Sequence, residues 1–264
     1  MLDPAELLEA FQSGLRARPE KVLPQGVQAD QDGPLLRTVG RSDRGFVEYR
    51  DLGGLEGPAL DELIERQVRF FAARGEHFEW KLYGHDRPAD LPDRLRAHGF
   101  VPEPQETVLI ARVDAVAAEP LVPPGVTLRE LHEPADLARL DAWEHAAWSG
   151  REVHIADMLG RMIAAGPDAI AVVAAEAGGT VVCANWIRFE QGTAFATMWG
   201  GATVPEWRRR GVYRATVAYR AQLAAARGLE YLQVDASDES RPILERLGFV
   251  AVTTTTPYIW SPAD

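Results

Sequence analysis

The sequence repeats itself. Residues 72–75 read AARG and so do residues 225–228; further on, residues 95–101 read LRAHGFV and residues 244–250 read LERLGFV. In both copies an amphipathic stretch ends at a glycine, a strand candidate follows (HFEWKLY or LEYLQVD), and a short helix closes on Gly-Phe. A glycine just past a helix takes the left-handed conformation that side chains resist, so Gly75, Gly228, Gly99 and Gly248 mark matching helix ends. A unit of helix, strand, helix, strand that occurs twice predicts two related α/β units.

Between the copies lies AAEPLVPPGV, where Pro120, Pro123, Pro124 and Gly125 deny regular backbone pairing and stiffen the chain. This predicts an N-terminal domain at 1–118, a linker at 119–125 and a C-terminal domain at 126–264. The length of 264 residues suits two domains of ~100–150 residues each. Within the second copy the pattern predicts a strand at 126–130, helices across 136–165, and strands near 169–176, 180–190 and 193–204. Gly178-Gly179 and Gln191-Gly192 supply the hairpin turns. The fold class is therefore α/β (α+β), each unit a mixed sheet flanked by helices.

Charge narrows the partners. A net charge of −11 repels phosphate backbones, so neither nucleic acid nor an anionic membrane is expected as a partner. The amino terminus, MLDPAELLEAFQSGL, lacks the basic and apolar regions of a secretory signal and reads as a short amphipathic helix. No stretch approaches the ~18 apolar residues of a membrane span, and a cytoplasmic location is expected. Cys183, the one cysteine, sits in TVVCANW and reads as a buried structural thiol.

One segment of the second copy has no counterpart in the first. AFATMWGGATV is apolar or small, as a buried strand requires, and Gly200-Gly201 marks a bulge or a close backbone approach. VPEWRRRGVYRA follows, and then a helix with Val212, Ala215, Thr216, Tyr219, Leu223 and Ala226 at helical spacing. Strand, arginine-rich turn, glycine and helix N-terminus together form an anion cradle, because unpaired amides and a positive dipole end point outward there. Arg208, Arg209, Arg210 and Arg214 add charged donors. Lys21 and Lys81 are the sole lysines among 28 positive side chains, so an arginine run is partly composition, and the same loop also reads as a solvated helix start. The corresponding part of the first copy, GGLEGPALDEL, has acids and no arginine. Neither the Gly-x-Gly-x-x-Gly nor the Walker pattern occurs.

VPEWRRRGVYRATVAY resembles the acetyl-CoA loop of the GNAT superfamily, Gln/Arg-x-x-Gly-x-Gly/Ala after a bulged strand; Arg208 and Gly211 match it. ILERLGFV is similar to that family's Leu-Tyr-Glu-Lys-Leu-Gly-Phe segment. The resemblance covers most of 126–264, and the first copy resembles a degenerate GNAT unit, as in tandem members. It implies two GNAT-like domains with mostly antiparallel sheets, and acetyl-CoA as cofactor. Amides of Arg209, Arg210, Gly211, Val212, Tyr213 and Arg214 would hold the pyrophosphate, and Ala202, Thr203 and Val204 would pair with the pantetheine arm. Ser237 falls where relatives carry a cofactor-binding asparagine.

The resemblance also exposes departures. Tyr213 replaces a small residue, and Leu244 stands where the family often has the tyrosine that protonates the departing thiolate. A thiolate with a pKa near ~8.5 is a tolerable leaving group, and Tyr258 is the substitute acid, although it also reads as a half-buried strand tyrosine. An amine acceptor near pKa ~10.4 needs a base. The strand before the loop has no acid, so Asp235 is the first candidate, with Glu190 and Glu144 behind it; a turn or cap role is the competing reading for Asp235.

Acceptor contacts are expected from DAWEHAAWSGREVHIADM, with Trp143, Trp148, His145 and His154 as pocket or core residues. A metal site is not expected. In the first copy, Glu79, Trp80, Lys81, Tyr83, His85 and Asp86 gather near one strand end, for bracing or for substrate. The expected activity is N-acyl transfer from acetyl-CoA to a small-molecule or peptide primary amine by direct attack. The alternative is a non-catalytic acyl-CoA-binding sensor. Acceptor identity, acyl length and oligomeric state stay open at this level.

Overall fold

Gly75 and Gly228, the matched glycines of the repeat, both adopt positive φ, 65° and 69°, and each closes a helix where the sequence places one. The computed structural model describes residues 3–16, 18–19, 21–41, 44–148 and 154–262. The first half runs α1 (Pro4–Gly14), β1 (Gln28–Asp32), β2 (Leu35–Val39), β3 (Gly45–Tyr49), α2 (Gly57–Ala72), β4 (Phe78–Tyr83), α3 (Leu91–Ala97), β5 (Val101–Pro102), β6 (Glu106–Arg112) and α4 (Val113–Val116). The second runs β7 (Val126–Leu131), α5 (Pro134–Leu137), α6 (Leu140–Ala147), α7 (Ile155–Ala165), β8 (Ile170–Ala177), β9 (Thr180–Phe189), β10 (Phe195–Thr203), α8 (Val212–Ala225), β11 (Tyr231–Ala236), α9 (Arg241–Arg246) and β12 (Val250–Trp260).

The repeat is visible in three dimensions. β3, α2 and β4 match β10, α8 and β11, and both crossovers join parallel strands, as a helical connection must. All other strand pairs in the sheet are antiparallel.

The sheet does not divide where the chain does. One 12-stranded sheet runs through the molecule in the order β1-β2-β3-β4-β12-β6-β11-β10-β9-β8-β7, with β5 also on β12. β6, the last strand of the first half, pairs with β11 of the second, from Tyr231↔Arg112 to Ala236↔Thr107. β12, the last strand of the second half, pairs with β4 of the first, from Thr255↔Tyr83 to Trp260↔Phe78. Each half thus gives its final strand to the other.

Helices cover both faces. Leu7 and Phe11 of α1 pack on Tyr83, Val108, Ile110 and Phe195 near the centre of one face. α5, α6 and α7 cover the same face at the β7–β9 end, against Val172, Ala174 and Trp186. On the other face α8 and α9 pack on Leu109, Ala111, Ile187 and Leu232, and α2 and α3 on Val47, Phe78 and Trp80. Among the described residues no helix is long and apolar enough to cross a membrane.

The buried stripe of α8 differs from the expected one. Val212, Ala215 and Thr216 are buried as expected, but the stripe continues through Val217, Arg220, Ala221 and Ala224, while Tyr219 and Leu223 lie at its edge and Ala226 is exposed. A buried arginine at its centre disguised the pattern.

Candidate functional site

β10 and β11 pair over three positions, Phe195↔Tyr231 to Thr197↔Gln233, and then separate. β10 keeps its partner β9 on the other side, and β11 keeps β6. A wedge therefore opens between Met198–Thr203 and Val234–Ala236. Backbone groups on its β10 edge follow from the ladder. Glu190 N donates to Phe195 O at 3.1 Å, so in an antiparallel pair Thr197/Arg188 and Trp199/Trp186 are also mutually bonded and Gly200 turns its amide outward. The register slips between Gly200 and Ala202, and Val204 N donates to Val182 O at 2.9 Å, which turns Thr203 outward in the same way. The amides of Gly200 and Thr203 thus face whatever enters the wedge.

The bulge is packed so tightly that its glycines are obligatory. Gly201 has φ 104°, and a Cβ there would stand 2.6 Å from Cε2 of Tyr213. Tyr213 therefore keeps its ring, but lays it against the bulge from the first turn of α8.

Below the bulge lies Arg220, only 1% exposed. Its Nη1 donates to the carbonyls of Trp186 (3.2 Å) and Trp199 (3.4 Å), and its Nε to Thr216 O (3.2 Å). Burial pulls its pKa below the usual guanidinium value. Among the described residues no carboxylate lies within ion-pair distance of it, an unusual state for a buried charge. A trans peptide points its carbonyl and its amide in opposite directions, so the cation on Trp199 O stands behind the Gly200 N–H that faces the wedge. Cys183, Asn185 and Thr216 fill the same layer; Asn185 Nδ2 donates to Thr216 Oγ1 at 2.8 Å, and burial raises the Cys183 thiol.

At the mouth of the wedge Pro205–Trp207 form a short 3-10 turn, Arg208 Nε donates to Thr203 O at 3.0 Å, and Arg210 lies 4.9 Å over the Trp207 ring. Arg209 (φ 61°) and Gly211 (φ 88°) are left-handed and swing the chain into α8, which no side chain caps. The first amides of α8 thus face outward unpaired. Arg208, Arg209, Arg210 and Arg214 are exposed, and among the described residues none has a carboxylate partner within 4 Å.

Other expected residues are placed differently. Tyr258 does not join the wedge: it is 3% exposed in the core of the first half, its β12 position pairs with Trp80, and β6 and β11 stand between it and β10. The strand exchange carries it there, so it is no substitute acid for Leu244, itself fully buried. Ser237 sits just past β11, but its hydroxyl is engaged with Ser240, accepting from Ser240 N at 3.4 Å. Glu144 accepts from Ile155 N at 3.0 Å and so ties α6 to α7; Glu190 accepts from Thr197 Oγ1 at 2.9 Å. Trp143 is core, with Nε1 donating to Ala202 O at 3.0 Å and Trp148 packed edge-on against it. His145 and His154 are exposed, and positions 149–153 of the expected acceptor segment lie outside the described residues. Among the described residues no cluster of three metal-ligating side chains occurs.

Asp235 does flank the wedge, with both oxygens engaged. Oδ2 is 2.7 Å from Lys81 Nζ and Oδ1 accepts from Gln233 Nε2 at 2.7 Å. Burial works against the Lys81 charge, yet Asp235, Tyr83 and Glu79 together hold its pKa well above the usual value. Lys81 crosses β12 and β6 to reach Asp235, and Glu106 stands on β6 along that path. Burial, reinforced by the Asp235 charge, pushes the Glu106 carboxyl up to about 7. Sequence reasoning missed Glu106, because nothing local shows that β6 will lie against β11.

In the equivalent gap of the first half, between β3 and β4 beyond Val47↔Trp80, sits a buried arginine. Arg16, 5% exposed, reaches in from the end of α1, donates to Tyr49 O at 2.6 Å and pairs with Asp86 at 2.7 Å. Tyr49 Oη donates to Asp86 at 2.6 Å, and Arg16 lies 4.2 Å over the Tyr83 ring. Asp51 and Glu56 precede α2 where the arginines precede α8. The polar cluster near β4 therefore braces the halves, His85 Nδ1 also bonding Thr253 Oγ1 across them at 2.8 Å.

No protein-family model and no curated protein matches this sequence. Solved structures do match the fold. A GCN5-related N-acetyltransferase from Kribbella flavida superposes with a TM-score of 0.68 at 18% identity, covering 100% of this chain and 97% of that one. A tandem GNAT protein from the clavulanic acid biosynthesis pathway gives 0.63 at 11% identity, covering 99% and 96%. A GCN5-related N-acetyltransferase from Sphaerobacter thermophilus gives 0.65 at 14% identity, covering 89% and 84%. From end to end, with its repeat, parallel crossovers and splayed strands, the chain has the fold of the GCN5-related N-acetyltransferases.

Proposed function

We propose that this protein transfers an acyl group from acyl-CoA, acetyl-CoA in the first instance, to a primary amine held at the β10/β11 wedge. One observation carries the reading: the wedge opens directly beside an uncapped α8 N-terminus and exposed arginines that have no carboxylate partner among the described residues. The fold likeness supports it independently.

The residues present fit an acyl-CoA. Its pyrophosphate suits the α8 amides, with Arg209, Arg210 and Arg214 adding charge. The extended arm suits a strand edge whose amides at Gly200 and Thr203 are turned outward. The bound thioester would supply the activated acyl group. The Gly200 amide then polarises the carbonyl, backed by Arg220 on the far end of the same peptide. Asp235, fixed by Lys81 and Gln233, contributes a negative charge that favours a cationic acceptor rather than a free base. The first half binds no cofactor in this reading, since its gap is filled by Arg16 and its helix start is acidic.

Isothermal titration with acetyl-CoA, followed by free-thiol release over a panel of amines and peptides, tests this. Binding with turnover is expected. Binding without release on any acceptor would favour the sensor reading, for which the buried Leu244 at the usual acid position speaks. Unchanged binding in Arg210→Glu with Gly211→Glu would remove the loop from the site.

A further inference from the structure

We propose that Glu106, delivered on β6 by the first half of the chain, takes the proton from the amine presented at the wedge of the second half. The proposal rests on the acyl-transfer reading.

Glu106 stands on the sheet face opposite α8 and α9. Asp235 pairs with Val108 across β11 and β6, so the two side chains share a face, and Glu106, two residues from Val108, shares it too. That step moves toward the C-terminal end of β11, where the wedge is open. Neighbouring strands stand ~4.8 Å apart, so β6 lies one strand beyond the rim of the wedge. α1 covers Val108 and Ile110 of β6, while Glu106 remains half-buried and in reach of water.

The surroundings leave Glu106 available. Charged and titratable groups face it from β4 (Glu79, Lys81 and Tyr83), from β11 (Asp235) and from the turn before β6 (Glu103). On β12 its register partner is Thr255, whose hydroxyl donates to Leu82 O at 3.1 Å, and Thr253 holds His85. Lys81 is committed to Asp235, and Glu79 is 5% exposed beside Arg44 at 3.8 Å. Among the described residues no side chain forms a hydrogen bond or ion pair with the Glu106 carboxylate. Asp235, by contrast, has both oxygens occupied.

The proton affinity suits the task. An ordinary carboxylate near ~4.3 lies about six powers of ten below an alkylammonium near ~10.4. At about 7, Glu106 narrows that gap to between three and four powers of ten while half of it remains ionised at neutral pH.

In the proposed step the ammonium gives one proton to Glu106 and becomes a neutral amine. Its nitrogen pair attacks the thioester carbonyl; the C–N bond forms, the C–S bond breaks, and the electron pair of that bond leaves on sulfur. The second nitrogen proton neutralises the thiolate, giving amide and free thiol, and Glu106 returns its proton to solvent. No oxidant or further reactant is needed.

The test compares wild type, Glu106→Gln and Glu106→Asp by thiol release from acetyl-CoA with an accepted amine, between about pH 5 and pH 9, alongside acetyl-CoA titration calorimetry. Wild-type kcat/KM is expected to rise with pH and bend near the Glu106 ionisation. Glu106→Gln should fall at least about a hundredfold and lose the bend. Glu106→Asp should keep the bend at a lower rate, and both variants should bind acetyl-CoA as wild type does. A Glu106→Gln profile that keeps its bend, or that loses cofactor affinity along with rate, overturns the proposal alone. A wild-type protein that binds acetyl-CoA and turns over no amine overturns the acyl-transfer reading, and this proposal with it.

Discussion

Substituting Gly201 by alanine attacks the bulge at the point where the fold is least able to give. At φ 104° the residue lies in the left-handed half of conformational space, where a Cβ costs at least ~1–2 kcal/mol. The new methyl would also stand 2.6 Å from Tyr213 Cε2, far inside van der Waals contact, and the ring lies between bulge and helix. Overpacking of this kind typically costs ~1–3 kcal/mol, so the single variant should lose ~2–5 kcal/mol. Tyr213→Ala removes the obstacle and leaves the backbone term, so in the double variant Gly201→Ala should cost only ~1–2 kcal/mol beyond Tyr213→Ala alone. Urea unfolding with linear extrapolation measures each corner of the cycle. Whatever backbone shift relieves the clash also re-aims the Gly200 amide, so acyl transfer should fall further than acetyl-CoA affinity. A Gly201→Ala protein within about 0.5 kcal/mol of wild type, or strict additivity with Tyr213→Ala, would refute the packing argument.

Arg220→Met should change stability by less than about 2 kcal/mol, because the lost hydrogen bonds are offset by removal of a desolvated charge, yet it should lower thiol release at least about tenfold. Paired urea melts and rate assays check this. Asp86→Asn leaves the Arg16 guanidinium buried without its carboxylate and should cost ~3–5 kcal/mol by urea unfolding. For Glu106 the folded state holds a proton more tightly than the unfolded chain does. Its stabilising effect is full below the ordinary carboxyl value and is lost as pH rises through about 7. Glu106→Gln should therefore gain ~1–2 kcal/mol on wild type between pH 4.5 and pH 8, solvent screening of a half-buried group included, and parallel melts across that range read it out.

How far sequence reasoning reached depends on how local each signal is. Helix ends at Gly75 and Gly228, the hairpin turns and the bulge at Gly200-Gly201 are conformational demands of single residues, and they are present where expected. The arginine turn and the glycine before α8 also formed a local pattern, and Gly211 is left-handed there at a helix start without a side-chain cap. Arg220 was hidden because its charge broke the apolar stripe it belongs to. Arg16 was hidden because its partners, Tyr49 and Asp86, come from two other segments. Tyr258 was misjudged because its strand crosses into the other half.

The sequence by itself determined the duplication and the class of the fold, since both are written in residues close together along the chain. Only the tertiary structure decided that the last strands change places, and with that which acids meet at the wedge. Strand order is set by pairing between distant edges, for which neither β6 nor β12 carries a local mark. Glu106, Lys81 and Asp235 come from three strands and two halves of the chain, and it is the shared sheet that brings them onto one face.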